Sequence, residues 1–314
     1  MKVLVTGVAG QLGHDVINEL IQCGYQGIGT DLCESYQGIQ DGTPVTRAPY
    51  YSLDITNSVD VGRVMEEVRP DALIHCAAWT AVDAAEEDDN LQKVTAVNVE
   101  GTYNLAKACA EMNCKMMYIS TDYVFAGQGE DPWEPDCEDY APVNVYGRTK
   151  LEGELAVKKL LEKYFIVRIA WVFGKNGNNF IRTMLKVGKT HDRLTVVNDQ
   201  IGTPTYTLDL ARLLVEMIQS EKYGCYHATN EGGYISWYEF ACEIFRQVAQ
   251  MGYEAYDEEH LMVEPVSTAD YGVSKAKRPS NSRLNKIKLA EQGFELLPPW
   301  KDALARYLEE IAPF

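Results

Sequence analysis

The stretch MKVLVTGVAGQLG, residues 1–13, decides the fold of this chain. Residues 2–6 are apolar and β-branched, which predicts a strand, and the apolar residues that follow recur every four positions, as in a helix. Gly7, Gly10 and Gly13 lie between the two elements. Glycines in this context allow a sharp turn and close approach of the backbone to a pyrophosphate, which the helix N-terminus then stabilises. The stretch predicts a dinucleotide-binding turn, and the alternative is an ordinary structural turn.

The same alternation of strand and helix continues along the first half of the chain. The patterns predict strands at residues 25–30, 72–76, 115–120 and 164–170, and helices at residues 57–68, 90–112 and 146–162. Strands that alternate with helices of this length predict a parallel sheet covered on both faces, which is a Rossmann-type, doubly wound α/β fold.

After Trp171 the elements become shorter, although a helix at 207–219 and an apolar run at 225–229 could still belong to the sheet. We therefore expect an NAD(P)-binding Rossmann domain over residues 1–170 and a smaller, interleaved C-terminal substrate-binding lobe over residues 171–314. Parts of this lobe, from about 199 to 229, are expected to return to the first domain.

Composition narrows the class of protein. The chain has 314 residues, 46% of them hydrophobic, and its 29 Lys+Arg against 46 Asp+Glu give a formal charge of -17. A field of that sign repels a nucleic-acid backbone, so nucleic acid is not expected as a partner. No C-x-x-C pair occurs among the eight cysteines, so no metal site is predicted. The N-terminus has no signal region and no apolar stretch is long enough to span a membrane, so we expect a cytoplasmic protein without a membrane partner.

Asp31 ends the second predicted strand, where an acid accepts hydrogen bonds from the adenosine ribose of a dinucleotide. Its carboxylate would repel a 2′-phosphate, so NADH is favoured over NADPH. A nearby cation could reverse this preference, and a simple turn aspartate is the alternative.

Tyr146 and Lys150 share one face of a predicted helix with Gly153, Val157 and Leu161. Burying a lysine without partners costs several kcal/mol, so its place on an apolar face needs a reason. A lysine close to the phenol would lower the pKa of Tyr146 toward working pH and prepare it for proton transfer. The spacing Y-x-x-x-K alone also occurs by chance.

The stretch STDYVFAG, residues 120–127, follows the predicted strand at 115–120. In a parallel α/β sheet, ligands bind outside the carboxyl ends of the strands. Thr121 is therefore expected to project a hydroxyl into the cofactor crevice, where it can bond a substrate oxygen that Tyr146 protonates. Alternatively, Ser120 and Thr121 merely end the strand.

Together these motifs resemble the extended short-chain dehydrogenase/reductase superfamily and, more narrowly, the dTDP-4-dehydrorhamnose reductase family. The resemblance covers nearly the whole chain. It is carried by G-x-x-G-x-x-G at 7–13, LDIT at 53–56, CAAWTAVDAAE at 76–86, VN at 97–98, STDYVF at 120–125, YGRTKLEGE at 146–154, RIAWVFG at 168–174, GNNF at 177–180, DQIGTPT at 199–205 and RPSNSRL at 278–284.

The resemblance implies hydride transfer from NADH or NADPH to the C4 ketone of a dTDP-4-keto-6-deoxysugar. It makes Tyr146 the proton donor, Lys150 its pKa modulator and ribose ligand, Thr121 the group that orients the ketone, and Asn98 a support of the proton relay or a structural helix-bending residue. The implied cofactor contacts are Gly7, Gly10, Gln11, Leu12, Gly13, Asp31, Asp54, Ile55, Ala78, Trp79, Thr80, Tyr146 and Lys150. The implied substrate contacts are Thr121, Asp122, Val82 and Trp171, with Arg278, Arg283 and, more weakly, Asn179 for the diphosphate.

Two departures and several alternatives stay open. The segment 33–51 is longer than a direct connection requires, and Trp79 stands where many family members carry histidine. A sugar-nucleotide dehydratase carries an acid where this chain has Tyr123, which disfavours dehydration but leaves an epimerase or another 4-ketoreductase open. A non-catalytic subunit similar to the methionine adenosyltransferase β subunit is a further alternative.

Assembly and metal dependence are less constrained by the sequence. A second helical face with Leu151 and Leu155 is either a homodimer surface or core. A subunit-bridging Mg²⁺ is compatible with the sequence but is not indicated by it.

Overall fold

The computed structural model of the protein describes residues 1–272 and 274–314, and its centre is a seven-stranded parallel sheet. The strands are β1 Lys2–Thr6, β2 Gln26–Asp31, β3 Tyr50–Ser52, β4 Ala72–His75, β5 Lys115–Thr121, β6 Tyr164–Ile169, β7 Val172–Phe173, β8 Arg193–Val197, β9 Ile201–Gly202, β10 Thr205–Tyr206, β11 Gly224–His227, β12 Ile235–Ser236 and β13 Met262–Val266. The helices are α1 Gln11–Gln22, α2 Ser58–Val68, α3 Val82–Ala85, α4 Asp88–Thr95, α5 Thr102–Glu111, α6 Val145–Leu160, α7 Phe180–Gly188, α8 Thr207–Gln219, α9 Trp237–Gln250, α10 Thr268–Tyr271, α11 Ile287–Glu291 and α12 Trp300–Ile311.

The order of strands in the large sheet is β11-β6-β5-β4-β1-β2-β3, and every pair is parallel. The chain therefore reverses its direction of travel across the sheet between β1 and β4, which is the switch point where α/β proteins bind nucleotides. The predicted α/β class is confirmed. The apolar run after helix α8 does join the sheet, because β11 pairs with β6.

Apolar side chains form separate clusters on the two faces of this sheet. One cluster packs α1 and α8 against residues such as Val5 and Val167, and the other packs α2 and α5 against Leu4 and Ile166. Successive residues of a strand therefore pack against helices on opposite faces of the sheet. Because both faces are buried, these strands are continuous apolar runs in the sequence. A third cluster, built from residues 173–308, packs α7, α9 and α12 together. No helix in the described part of the chain is long and apolar enough to cross a membrane.

The helix predicted at 90–112 is interrupted. It consists of α4, a π-helical segment Ala96–Gly101 and α5. A π-helical turn bulges the backbone and is often found at functional sites. Asn98 lies within this segment and is buried, so the helix-bending alternative for that residue matches its position.

The segment 33–51 packs against the glycine-turn side of the sheet. It contains a 3-10 turn at Pro44–Arg47 and ends in β3, the edge strand beside β2. The Tyr36 hydroxyl lies 2.6 Å from Nδ1 of His14 in α1, and the Ile39 N–H donates to Asn176 at 3.0 Å. The extra length therefore joins the first helix to a loop from the second half of the chain.

Candidate active site

A cleft of about 1040 Å³ lies along the carboxyl ends of β1, β2, β4, β5 and β6. Strand topology brings these ends together, because parallel neighbours end at the same edge of a sheet. The glycine turn after β1 forms one part of the cleft, and the segment after β5 with the first turns of α6 forms another.

The glycine turn leaves a backbone-lined space that side chains would fill. Gly7 has φ +73, and a Cβ on it would lie 2.7 Å from the Ala77 nitrogen. A Cβ on Gly13 would overlap the carbonyl oxygen of Gly7. The α1 helix begins at Gln11, so its first N–H groups face this space. A bare backbone turn at a helix N-terminus fits the pyrophosphate of a dinucleotide.

Asp31 lies beside this turn and is bonded to it. Its Oδ2 accepts a hydrogen bond from the Ala9 N–H at 2.9 Å, and its Oδ1 accepts one from the Leu32 N–H at 2.8 Å. These bonds fix the carboxylate in the cleft wall. The residues that line the cleft near it, Leu32, Asp54 and Thr56, carry no positive charge.

The first turn of α6 carries Tyr146, and it is held by a helix cap and by packing against the segment after β5. Asn144 caps the helix by accepting from the Gly147 N–H at 2.7 Å. Gly147 lies so close to the segment after β5 that a Cβ there would overlap the Tyr123 carbonyl oxygen. The Tyr146 ring packs edge-on against that of Tyr123 at 5.7 Å. The predicted helical face is confirmed, since Lys150, one turn further, is buried and lines the cleft.

Lys150 has few compensating contacts for its charge. Its Nζ donates to the Ile119 carbonyl at 2.8 Å and lies 4.1 Å from the centroid of the Tyr118 ring. Burial lowers the pKa of Lys150 to about 7, although Glu154 and Cys76 act in the opposite direction. Small changes in this environment therefore decide whether the amine is charged at neutral pH.

Thr121 and Asp122 form a bonded pair at the end of β5. The Thr121 hydroxyl donates to Asp122 Oδ1 at 2.9 Å and accepts from the Tyr123 N–H at 3.2 Å. Asp122 Oδ2 is buried and has no hydrogen-bond partner among the described residues. Burial raises the pKa of Asp122 to about 6. The carboxylate thus holds the one proton of Thr121 with one oxygen, while its other oxygen is buried on the side of Ser282.

The pKa of Tyr146 is raised above its ordinary value, by burial first and by the nearby Asp122 second, and a hydrogen bond with Thr121 acts against this. The sequence predicted a lowered pKa, so the prediction is wrong for the protein alone. The physical reason is that Lys150 is itself held only partly charged, whereas burial penalises the phenolate fully.

Arg278 lines the cleft and is paired with a residue of α3. Its guanidinium makes a bidentate ion pair with Asp83 of α3, with Nη2 2.7 Å from Oδ2 and Nη1 3.1 Å from Oδ1. That pairing lowers the pKa of Asp83. Arg278 and Lys150 are the cations among the described residues that line the cleft, whereas Asp31, Asp54 and Asp122 are its anions.

The cleft brings together nearly all of the residues proposed from sequence. The predicted residues that line it are Gly7, Gly10, Gln11, Leu12, Gly13, Asp31, Asp54, Ile55, Ala78, Trp79, Thr80, Val82, Thr121, Asp122, Tyr146, Lys150, Trp171 and Arg278. In the described part of the chain, no group of three or more His, Cys, Asp or Glu side chains is arranged to hold a metal ion.

Asn98, Asn179 and Arg283 lie outside the lining. Asn98 accepts from the Trp79 N–H at 2.8 Å and donates to Thr149 at 3.0 Å, so it ties the loop after β4 to α6. Asn179 caps α7 and donates to Tyr307 at 2.8 Å. Arg283 donates to Asn281 at 3.0 Å. Asn179 and Arg283 therefore do not line the cleft in the protein alone, and their contact with a diphosphate stays a prediction.

Sequence reasoning missed the loop at residues 174–178 as part of the site. Asn176 donates to the Ala9 carbonyl at 2.9 Å, and Gln11 accepts from the Gly174 N–H at 2.9 Å, so the loop lies over the glycine turn. Gly177, with φ +125, lies close to Gln11. The cluster of glycine and asparagine in GKNGNN was the available signal. On the same side, Trp171 stacks on Trp237 with ring centroids 3.7 Å apart, and both line the cleft.

These features define an extended short-chain dehydrogenase/reductase: a parallel sheet with this switch point, a glycine turn, and Thr, Tyr and Lys side chains together at one edge of the sheet. More narrowly, the chain belongs to the family described as RmlD substrate binding domain, whose sequence profile matches residues 1–312. A dTDP-4-dehydrorhamnose reductase of Aggregatibacter actinomycetemcomitans is 37% identical in an alignment of 312 positions that covers 96% of this chain and 97% of the relative.

Solved structures agree with the sequence comparison. The crystal structure of a dTDP-4-dehydrorhamnose reductase from Clostridium acetobutylicum is 39% identical, has a TM-score of 0.86 and covers 99% of each chain. That of the dTDP-4-dehydrorhamnose reductase from Bacillus anthracis, in complex with NADP, is 39% identical with a TM-score of 0.85, covering 99% of this chain and 100% of the other.

Proposed function

We propose that this protein reduces the C4 ketone of dTDP-4-dehydro-L-rhamnose to give dTDP-L-rhamnose, using NADH or NADPH, as a step of dTDP-rhamnose biosynthesis. The observation that carries the proposal is the meeting of Thr121, Tyr146 and Lys150 at one edge of the sheet beside the glycine turn. The names of the relatives from Aggregatibacter and Clostridium support the same substrate.

The roles of the residues follow from their protonation states. A bound reduced nicotinamide supplies the hydride. Tyr146 donates a proton to the ketone oxygen, since its raised pKa keeps the phenol protonated at neutral pH. Lys150, as an ammonium, stabilises the phenolate left behind and would hold the ribose. Thr121 bonds the ketone oxygen once its O–H turns away from Asp122, and Asn98 keeps the loop with Trp79 in place.

The sugar nucleotide is proposed to bind at the Arg278 end of the cleft. Asp122 lines the cleft beside Thr121 and would contact the sugar there. Val82 and Trp171 would provide apolar contacts. The diphosphate would compete with Asp83 for Arg278, because charge-assisted bonds to a guanidinium fork suit both groups.

NADH is proposed as the preferred cofactor. Asp31 is held rigidly by Ala9 and Leu32, and a fixed carboxylate repels the 2′-phosphate of NADPH. The test compares kcat/KM for the two cofactors at equal substrate. A higher value for NADPH would contradict this part of the proposal while leaving the reaction itself unaffected.

The reaction is tested with purified protein and freshly prepared dTDP-4-dehydro-L-rhamnose. Loss of the near-ultraviolet absorbance of the reduced nicotinamide gives the rate, and NMR identifies the new C4 alcohol. Tyr146→Phe keeps the ring and removes the proton donor, so the rate should fall by roughly 10²–10⁴-fold. Ile287→Ala, at a half-exposed position on α11, is the matched control. Absence of oxidation with both cofactors, or an unchanged rate for Tyr146→Phe, would refute the proposal.

The same assay separates the rival functions. An epimerase returns its hydride to the substrate, so it would convert the sugar without net oxidation of NADH. A non-catalytic subunit would bind the cofactor and give no turnover. Dehydration is disfavoured because Tyr123, a phenol packed against Tyr146, stands where an acid is needed.

The organisation of the chain completes the proposal. We assign residues 1–170 to cofactor binding and residues 171–314 to the substrate lobe, with parts of 199–229 returning to the first domain. Support comes from the separate apolar cluster within 173–308 and from the pairing of β11 with β6. A cytoplasmic location is proposed because the reaction consumes reduced nicotinamide and because the eight cysteines are free thiols.

A homodimer is the proposed assembly. Of the two residues singled out for this role, Leu155 is 47% exposed, whereas Leu151 packs against the cluster around Phe125. Light scattering that gives twice the 35.2 kDa chain mass would support the dimer, and the single-chain mass would oppose it.

A further inference from the structure

Tyr118 of β5 packs directly against the lysine of the site. The ring is fully buried, and its centroid lies 4.1 Å from Lys150 Nζ. The Tyr118 hydroxyl also donates to the backbone carbonyl of Lys150 at 3.3 Å. One side chain thus contacts both the charged end and the backbone of the same residue.

Lys150 has no carboxylate within ion-pair distance among residues 1–272 and 274–314. Glu154, one helical turn further, is bonded through both of its oxygens to Arg168, at 2.9 and 2.7 Å. The Ile119 carbonyl takes one of the three N–H donors of the ammonium. In a buried site, the negative face of an aromatic ring is a strong remaining stabiliser of the charge.

We propose that Tyr118 is a positioning residue for Lys150: its ring face stabilises the ammonium form, and its hydroxyl fixes the helical turn from which that side chain extends. The importance of this for catalysis rests on the proposed function. The ionisation of Lys150 does not depend on the proposed function, so this proposal can fail or hold whether or not the protein turns over substrate.

Gly153 supports the assignment because it makes room for this ring. A Cβ on Gly153 would overlap the Tyr118 hydroxyl and approach the Asn98 carbonyl oxygen to 2.9 Å. A side chain at position 153 would therefore displace Tyr118 from its place against Lys150. The absence of a side chain there gives α6 its close approach to β5.

The other titratable groups around Lys150 do not take over this task. Burial lowers the pKa of His75 to about 3 and raises that of Cys76 to about 12, so both are neutral. The pKa of Tyr146 is also raised, which keeps it neutral. Glu154 acts from a distance while paired elsewhere. Besides the Ile119 carbonyl, the ring of Tyr118 is the contact that favours the charged amine at short range.

The test follows the titration of Lys150 directly. The NMR shift of its Cε, in protein carrying isotope-labelled lysine and assigned with Lys150→Met, is measured against pH without cofactor or substrate. Tyr118→Leu should lower the midpoint by about one pH unit, whereas Tyr118→Phe should leave it near that of the parent. Gly153→Ala should lower the midpoint as well. Tyr226→Leu is the control, because Tyr226 is an equally buried tyrosine of the same sheet with another lysine, Lys288, near its ring.

A fluorinated series keeps the test valid if Tyr118→Leu does not fold. Fluorinated phenylalanines placed at position 118 keep nearly the same shape and weaken the ring face stepwise, so the midpoint should fall with each added fluorine. A midpoint that stays constant across this series would overturn the proposal. So would a shift for Tyr118→Phe as large as for Tyr118→Leu, since the hydroxyl and not the ring would then be responsible.

Discussion

Replacing Arg168 by methionine is expected to destabilise the protein strongly, because it leaves a buried carboxylate unpaired. Arg168 of β6 and Glu154 of α6 are both fully buried and form a bidentate pair at 2.9 and 2.7 Å. Arg168 also donates to the Pro135 carbonyl at 3.1 Å and to the Tyr140 hydroxyl at 3.0 Å. The pair therefore joins the helix that carries Lys150 to the sheet and to the segment after β5.

The magnitude follows from this burial. Removing one partner of a buried ion pair costs about 3–5 kcal/mol, since the remaining charge keeps its desolvation penalty and loses its compensation. That is a large part of a typical free energy of unfolding of about 5–15 kcal/mol. Replacing both partners by apolar residues, as in Glu154→Leu with Arg168→Met, should restore most of the loss, because no charge is then left in the core.

Urea unfolding of the parent, the two single variants and the double variant measures these effects. At an urea slope of about 2–3 kcal/mol/M, the midpoint of Arg168→Met should fall by roughly 1–2 M. The coupling energy of the cycle should be large and favourable, because the residues are in contact. A single-variant loss below about 1 kcal/mol, or a double variant as unstable as the sum of the single ones, would refute the argument.

Three further predictions concern the cleft. Asp31→Asn keeps an acceptor for the Ala9 N–H and removes the charge, so kcat/KM for NADPH should rise roughly tenfold relative to NADH, as measured by initial rates. The folded pKa of Asp122 is raised to about 6, so its ionisation lowers the free energy of unfolding progressively above pH 4. Asp122→Asn should therefore raise the free energy of unfolding at neutral pH by about 1–3 kcal/mol and flatten its pH dependence between about pH 4 and 6. The same substitution should lower activity. Arg278→Ala should raise KM for the sugar nucleotide roughly tenfold to a hundredfold, whereas Asp83→Asn should lower it by freeing the arginine; a rise for both would point to a structural role of the pair.

The sheet and the helical face that carries Tyr146 were predictable because their signals are local. A parallel strand buried on both faces is a continuous apolar run, and the face shared by Tyr146, Lys150 and Gly153 follows from helical periodicity. The glycine turn was equally predictable, since the backbone around Gly7 and Gly13 leaves no room for a side chain at either position.

Contacts between distant parts of the chain were not predictable in this way. Nothing in the local pattern indicates that Arg278 pairs with Asp83, which lies 195 residues away, or that Asn176 bonds the glycine turn. For the same reason the sequence does not indicate that Asn179 bonds Tyr307 or that Arg283 bonds Asn281, outside the cleft lining.

The protonation state of Tyr146 shows what changes when burial is added to a sequence motif. Spacing places Lys150 one turn from the phenol and suggests a lowered pKa, but the fold also buries both groups and sets Asp122 nearby, so the pKa rises. For reduction of a ketone this is the useful direction, because the enzyme must hold a proton until the oxygen of the substrate needs it. In the proposed mechanism Lys150 acts after the transfer, when its charge would stabilise the phenolate, so the proposed reaction depends on the ionisation of that lysine.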